Sequence, residues 1–186
     1  MPLAPPPPAP PIPQNVINEV IDFVSNALTD PRVRNRQFPF DRPTLLSERL
    51  PPIGQQYGLG TAGSGGAVPS ILAGVPANIG NVDFRVGIGN ALGGAPALLV
   101  ASAAATPIGT QFAGINLNVA LPEILQLFVP LEGPVGLAGR GFGTLQLPLP
   151  FDTGMRGVTV FTQWFVIDAN GTSGAASSRG AEIRFF

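Results

Sequence analysis

From residue 82 to the end of the chain, short apolar runs alternate one residue in two, and a glycine or proline breaks each run before it lengthens. No other feature narrows the fold as much. Period-two alternation sends side chains to the two faces of a strand, whereas a helix repeats every 3.6 residues. Phe84, Val86 and Ile88 alternate with Asp83, Arg85 and Gly87, and Leu145, Leu147 and Leu149 alternate with Thr144, Gln146 and Pro148. In INLNVAL, Ile115, Leu117, Val119 and Leu121 make one face, with Asn116, Asn118 and Ala120 opposite. PALLVAS is a short apolar run, GVTVFTQWFVID is apolar on both faces as a central strand is, and GAEIRFF closes the chain. Short strands with turns roughly every ten residues predict a mainly β chain, with an antiparallel β-sandwich of jelly-roll or Ig-like kind over residues 82–186. Pro148 cannot donate to a ladder, so its strand is expected at an edge or a bulge.

The first 81 residues read differently. Eight of the first thirteen are proline, which predicts an extended, stiff polyproline II arm over residues 1–14. That stretch has neither basic residues nor a continuous apolar core, so it is not expected to be a signal peptide. Over residues 15–30, Val16, Ile17, Val20, Ile21, Val24 and Leu28 recur at helical spacing. They predict one short amphipathic helix with Asn15 as N-cap and a stop at Asp30-Pro31. A helix of this length is marginal in water and needs something to pack against. Residues 31–81 carry Pro39, Pro43, Pro51 and Pro52 and a glycine-rich stretch, GLGTAGSGG, and are expected to be an extended, loop-rich arm. That stretch has no P-loop lysine, so it is not a phosphate cradle.

Three blocks, GNALGGAPALLVAS, GTLQLPLPFDTGMRGVTVFTQWFVIDANG and SSRGAEIRFF, occur in that order. Together they resemble a β-sandwich domain found at the C-terminus of secreted or surface proteins of planctomycetes and myxobacteria. The resemblance covers about residues 82–186, implies a sandwich fold and brings no catalytic residues with it.

The chemistry available is limited. The 186 residues contain no Cys, no His and no Lys, so the commonest bases, nucleophiles and zinc ligands are missing. Net charge is −1 and charged residues make up 11% of the chain. The nearest approach to a basic patch is Arg32, Arg34 and Arg36, which reads as a solvated linker, so no nucleic-acid partner is expected. Residues 86–122 are uncharged, yet prolines, glycines and asparagines interrupt them, so no membrane span is expected. Asp152 and Asp168 flank the long strand and are the one carboxylate pair considered for a glycosidase dyad. Asp168, Asn170 and Gly171 resemble a fragment of a calcium loop but read better as an Asn-Gly turn. Trp164, the single tryptophan, is expected in the core and not on a sugar-binding surface.

These readings lead to a non-enzymatic structural subunit without a cofactor or an evident small-molecule substrate. Its expected partners are copies of itself or another structural protein. The expected assembly contacts are Val16, Ile17, Val20, Ile21, Val24, Leu28, Phe38 and Phe40. The expected setting is a virion or other particle surface. The alternative is a secreted or cell-surface module that binds carbohydrate or a protein.

Overall fold

Proline at position 13 decides where the helix starts. In the computed structural model, which describes residues 12–27, 35 and 54–186, Pro13 has φ −58° and ψ 141°, the polyproline II geometry that its ring favours. Its carbonyl accepts from the N–H groups of Val16 and Ile17 at 3.1 and 3.3 Å. Helix α1 therefore spans Gln14–Asp22 and continues as a π-helical stretch, Phe23–Ala27. Asn15 lies inside the first turn and is not the N-cap; Pro13 holds that place and has no side-chain donor or acceptor to offer. Gln14 Nε2 donates to Asn18 Oδ1 one turn on, at 3.1 Å. The expected extension to residue 30 and the proline arm over residues 1–11 lie outside the described residues.

The chain divides into two units, residues 1–45 and 46–186. The second is mainly β, with every strand pair antiparallel among the described residues. Its strands are β1 (Gln55–Tyr57), β2 (Ser70–Leu72), β3 (Arg85–Ala91), β4 (Pro96–Ser102), β5 (Gln111–Phe112), β6 (Ile115–Asn116), β7 (Leu125–Pro130), β8 (Gly141–Gln146), β9 (Thr159–Ile167) and β10 (Ala175–Arg184). One sheet has the order β1-β10-β9-β4-β7 and a second β2-β3-β8; β5 and β6 form a small hairpin. The expectation that residues 31–81 are all extended arm therefore fails from Gln55 onward. Tyr57 pairs with Gly180 and Ile71 with Ile88, so β1 and β2 belong to the sheets. Their three-residue lengths are too short for an alternation to show.

The two sheets share one core. Phe84, Val86 and Ile88 from the β3 region face Leu99, Trp164, Val166 and Ile183 of the larger sheet, all nearly inaccessible to solvent. Trp164 ties the layers together, because its indole Nε1 donates to the carbonyl of Gly87 at 3.0 Å. β9 is central, as its two apolar faces predict, and β8 is an edge strand with Pro148 just beyond it.

A bulge in β10 keeps its inward set in place. Ser177 pairs with Phe165 and Gly180 with Gln163, so Ser178 and Arg179 stand opposite the single residue Trp164. Inward positions consequently change from Ala176 to Ala181 and Ile183 along one strand, where a regular strand would have turned them outward. Ser178 Oγ fills the gap in the ladder by accepting from the Trp164 N–H at 3.0 Å.

Candidate functional site

The face of the larger sheet turned away from the core is covered by two chain segments, around residues 57–61 and 115–119. Gln163, fully buried on β9, anchors them. Its Oε1 accepts from the Asn118 N–H at 2.8 Å, and its Nε2 donates to the carbonyls of Asn116 and Ser178, each at 2.9 Å. Asn118 passes the connection on. Its Nδ2 donates to the Leu59 carbonyl at 2.8 Å, and its Oδ1 accepts from the Leu59 N–H at 3.2 Å. Tyr57 Oη donates to the Asn118 carbonyl at 2.8 Å while its ring lies edge-on to Phe161. Burial, with the Glu182 carboxylate adding to it, pushes the Tyr57 phenol well above its ordinary value.

The alternation read in INLNVAL is therefore inverted in part. Asn118 is buried and Leu121 is 70% exposed, although Val119 is buried as expected. Only Ile115–Asn116 forms a strand. The asparagines turn inward because they supply the hydrogen bonds that two crossing segments need. Among the described residues no buried side-chain nitrogen or oxygen is left without a partner.

Asp168 holds a second polar knot at the β9–β10 turn. Oδ2 accepts from the Ser64 N–H at 2.6 Å, and Oδ1 accepts from Ser64 Oγ at 2.5 Å and from the Asn170 N–H at 3.2 Å. Gly63 makes this approach possible, since a Cβ there would come within 2.3 Å of Oδ2. Burial of the side chain acts to raise its pKa, but these hydrogen bonds outweigh that and hold the carboxyl below the usual aspartate range.

This arrangement answers the sequence's questions about chemistry. The Asp168-Asn170-Gly171 segment is a turn whose carboxylate fastens the loop at Ser64. Asp152 caps a separate turn by accepting from the Gly154 N–H at 2.8 Å. The two aspartates flank the nine-residue strand β9, which is roughly 30 Å long at its usual rise per residue. The Asp168 carboxylate is already held by Ser64 and Asn170, and that of Asp152 by its own turn before β9, so each serves a separate turn. No group of three or more His, Cys, Asp or Glu side chains that could hold a metal occurs among the described residues. No helix of the described residues is long and apolar enough to cross a membrane.

The remaining features are apolar surfaces. On α1, Val16, Ile17, Val20 and Ile21 are exposed, as are Val24 and also Phe23 on its π-helical continuation. Leu28, Phe38 and Phe40 lie outside the described residues. In the second unit a cleft of about 530 Å³ opens between the sheets, lined by residues that include Leu99, Leu125, Leu147, Leu149 and Ile183. Among the described residues of its wall Thr162 is the one polar side chain, and its hydroxyl already donates to the Ala181 carbonyl at 3.3 Å. A smaller apolar groove of about 240 Å³ lies outside the sheet, beside Val100, Phe165 and Phe112, the last being 75% exposed.

Compared with known proteins, the chain matches no family model, no curated protein and no solved structure.

Proposed function

We propose that the chain is a non-enzymatic structural subunit whose second unit is a β-sandwich body of jelly-roll or Ig-like kind and whose N-terminal segment docks on neighbouring copies or another structural protein. The observation that carries this reading is α1. Its nine residues place Val16, Ile17, Val20 and Ile21 on an exposed apolar stripe. So short a helix draws most of its stability from what it packs on. The low charge of the whole chain fits a surface largely covered in an assembly. A virion or other particle is the setting that suits such a subunit best.

The test is light scattering on the full chain beside a Val20→Asp/Ile21→Asp variant. The reading expects the wild type to form oligomers that the variant does not form. Wild-type monomers at every concentration would contradict it.

A second reading has one specific observation in its favour. The outer apolar groove beside exposed Phe112 would suit a surface module that binds carbohydrate or a protein. In this reading the resemblance to C-terminal sandwich domains of surface proteins carries over to location as well. Specific retention of the full chain on a glycan array, lost on Phe112→Ala, would favour it over the first.

A further inference from the structure

Beyond the apolar surfaces, a hollow of about 610 Å³ lies at one end of the three-stranded sheet, where β3 and β8 meet the loop that joins β7 to β8. Its wall includes Asn90, Leu137, Arg140 and Phe142, all exposed. A break in the ladder shapes it. Ile88 pairs with Gly143 and Ala91 with Gly141, so Gly89 and Asn90 both stand opposite Phe142. Such bulges re-aim side chains and recur beside functional sites. Asn90 has φ 54°, in the left-handed region that residues other than glycine seldom adopt. Its Nδ2 donates to the Val68 carbonyl at 2.8 Å, which fixes the amide. Gly139 keeps the other end of that amide clear, since a Cβ there would lie 3.0 Å from Asn90 Oδ1. The loop is held as well. The Gly93 N–H donates to the Leu137 carbonyl at 3.0 Å, and the Gly136 N–H donates to the Gly93 carbonyl at 2.8 Å. Phe142 shares the outward face of β8 with Thr144 and Gln146, an apolar ring on a polar, exposed face.

We propose that this hollow binds one uronic acid residue of an acidic polysaccharide, with Arg140 on the sugar carboxylate, the Phe142 ring against a C–H face of the sugar and Asn90 Oδ1 accepting from a hydroxyl. The proposal rests on the carbohydrate-binding reading above and deepens it, but puts the ligand at a place other than the groove beside Phe112. The ligand class follows from the wall. Among the described residues that line it, Arg140 is the one charged side chain, which suits a single negative charge and not a polyanion. Glu132 pairs with Phe142 through the backbone but does not line the hollow. A guanidinium presents a planar fork that matches a carboxylate. The electron-rich face of an aromatic ring attracts the weakly positive C–H groups on one side of a pyranose. Asn90, with its amide already oriented, keeps an acceptor for a hydroxyl hydrogen. The three side chains thus correspond to the three kinds of surface that a uronic acid offers. The bulge and the tethered loop hold them before any ligand arrives, which lowers the entropic cost of binding.

Isothermal titration of the full chain with tetramers of galacturonate, glucuronate and mannuronate, and with their methyl esters, tests the site. The ester keeps the ring and its hydroxyls and removes the charge. The proposal expects at least one of the acids to bind, and its ester to bind about tenfold more weakly or not at all, as loss of a charged hydrogen-bonded pair requires. Arg140→Gln and Phe142→Ala should each weaken that acid about tenfold, while Arg140→Lys, which keeps the charge without the fork, should recover only part of the affinity. Far-UV circular dichroism and Trp164 emission confirm that each variant is folded. Phe112→Ala, in the outer groove, should leave binding unchanged. Binding that is lost in Phe112→Ala and kept in Arg140→Gln would overturn this site and leave the carbohydrate reading standing. Equal binding of acid and ester would overturn the pairing of Arg140 with a carboxylate, and with it the proposal. No binding of any of the acids would also overturn it, and the glycan array with Phe112→Ala then decides the carbohydrate reading separately.

Discussion

Gln163 uses every polar position of its amide while fully buried, and that is what makes it costly to replace. In Gln163→Leu the carbonyls of Asn116 and Ser178 keep other donors, Ser177 Oγ and Asn118 Nδ2, but the Asn118 N–H is left with none. An orphaned buried donor costs about 1–3 kcal/mol, so urea denaturation should show a loss of that size with the slope unchanged. Asp168 gives a pH signature. Its folded pKa is lowered, so its contribution to stability is fully present above the unfolded value, about 3.9, and disappears as the pH falls through the lower folded value. The denaturation midpoint should decline on acidification below about pH 5, and Asp168→Asn should flatten that decline. Tyr57 acts in the opposite sense. As the only tyrosine, it can be followed by phenolate absorbance. Its raised pKa contributes stability that is present below the ordinary value, about 10, and lost above it, so ionisation should appear only together with alkaline unfolding. None of these partnerships is readable in sequence, because the residues lie far apart in the chain: Gln163 with Asn118, Asp168 with Ser64. What was readable is Trp164, whose position in a run apolar on both faces requires burial.

Individual elements show why some of the fold was legible and some was not. β3, β4, β8 and β9 are six to nine residues long, enough for alternation or a continuous apolar run to identify them. β1 and β2 have three residues each within a stretch rich in glycine and proline, and no period can be read from so few. Tyr57 nonetheless had a sequence signal, a lone aromatic among glycines. Its ring sits so close above Gly180 that a Cβ there would lie 2.4 Å from it. The asparagine face of INLNVAL misled because alternation says which residues share a face and not which face is buried. At α1 the stripe was legible, and what covers it was not. A peptide of residues 12–27 should give a weak helical signal in water by circular dichroism, because two turns cannot offset the cost of nucleation. Strong helicity in the isolated peptide would remove the need for a packing partner.

Among the described residues, the two units of the chain differ in how much apolar surface they bury themselves. The second unit has a core of its own, with two sheets joined through Trp164, a bulge that keeps β10 in phase, and polar knots at Gln163 and Asp168. The first has an exposed stripe on a short helix, followed by a proline-punctuated segment carrying Phe38 and Phe40. On the proposed function, the apolar stripe of α1 is buried on a second molecule. Hydrogen exchange of the α1 amides in the full chain, measured over a wide range of protein concentration, tests it most directly. The account predicts protection that rises with concentration in step with oligomer formation. Protection that is strong and the same at every concentration would contradict it.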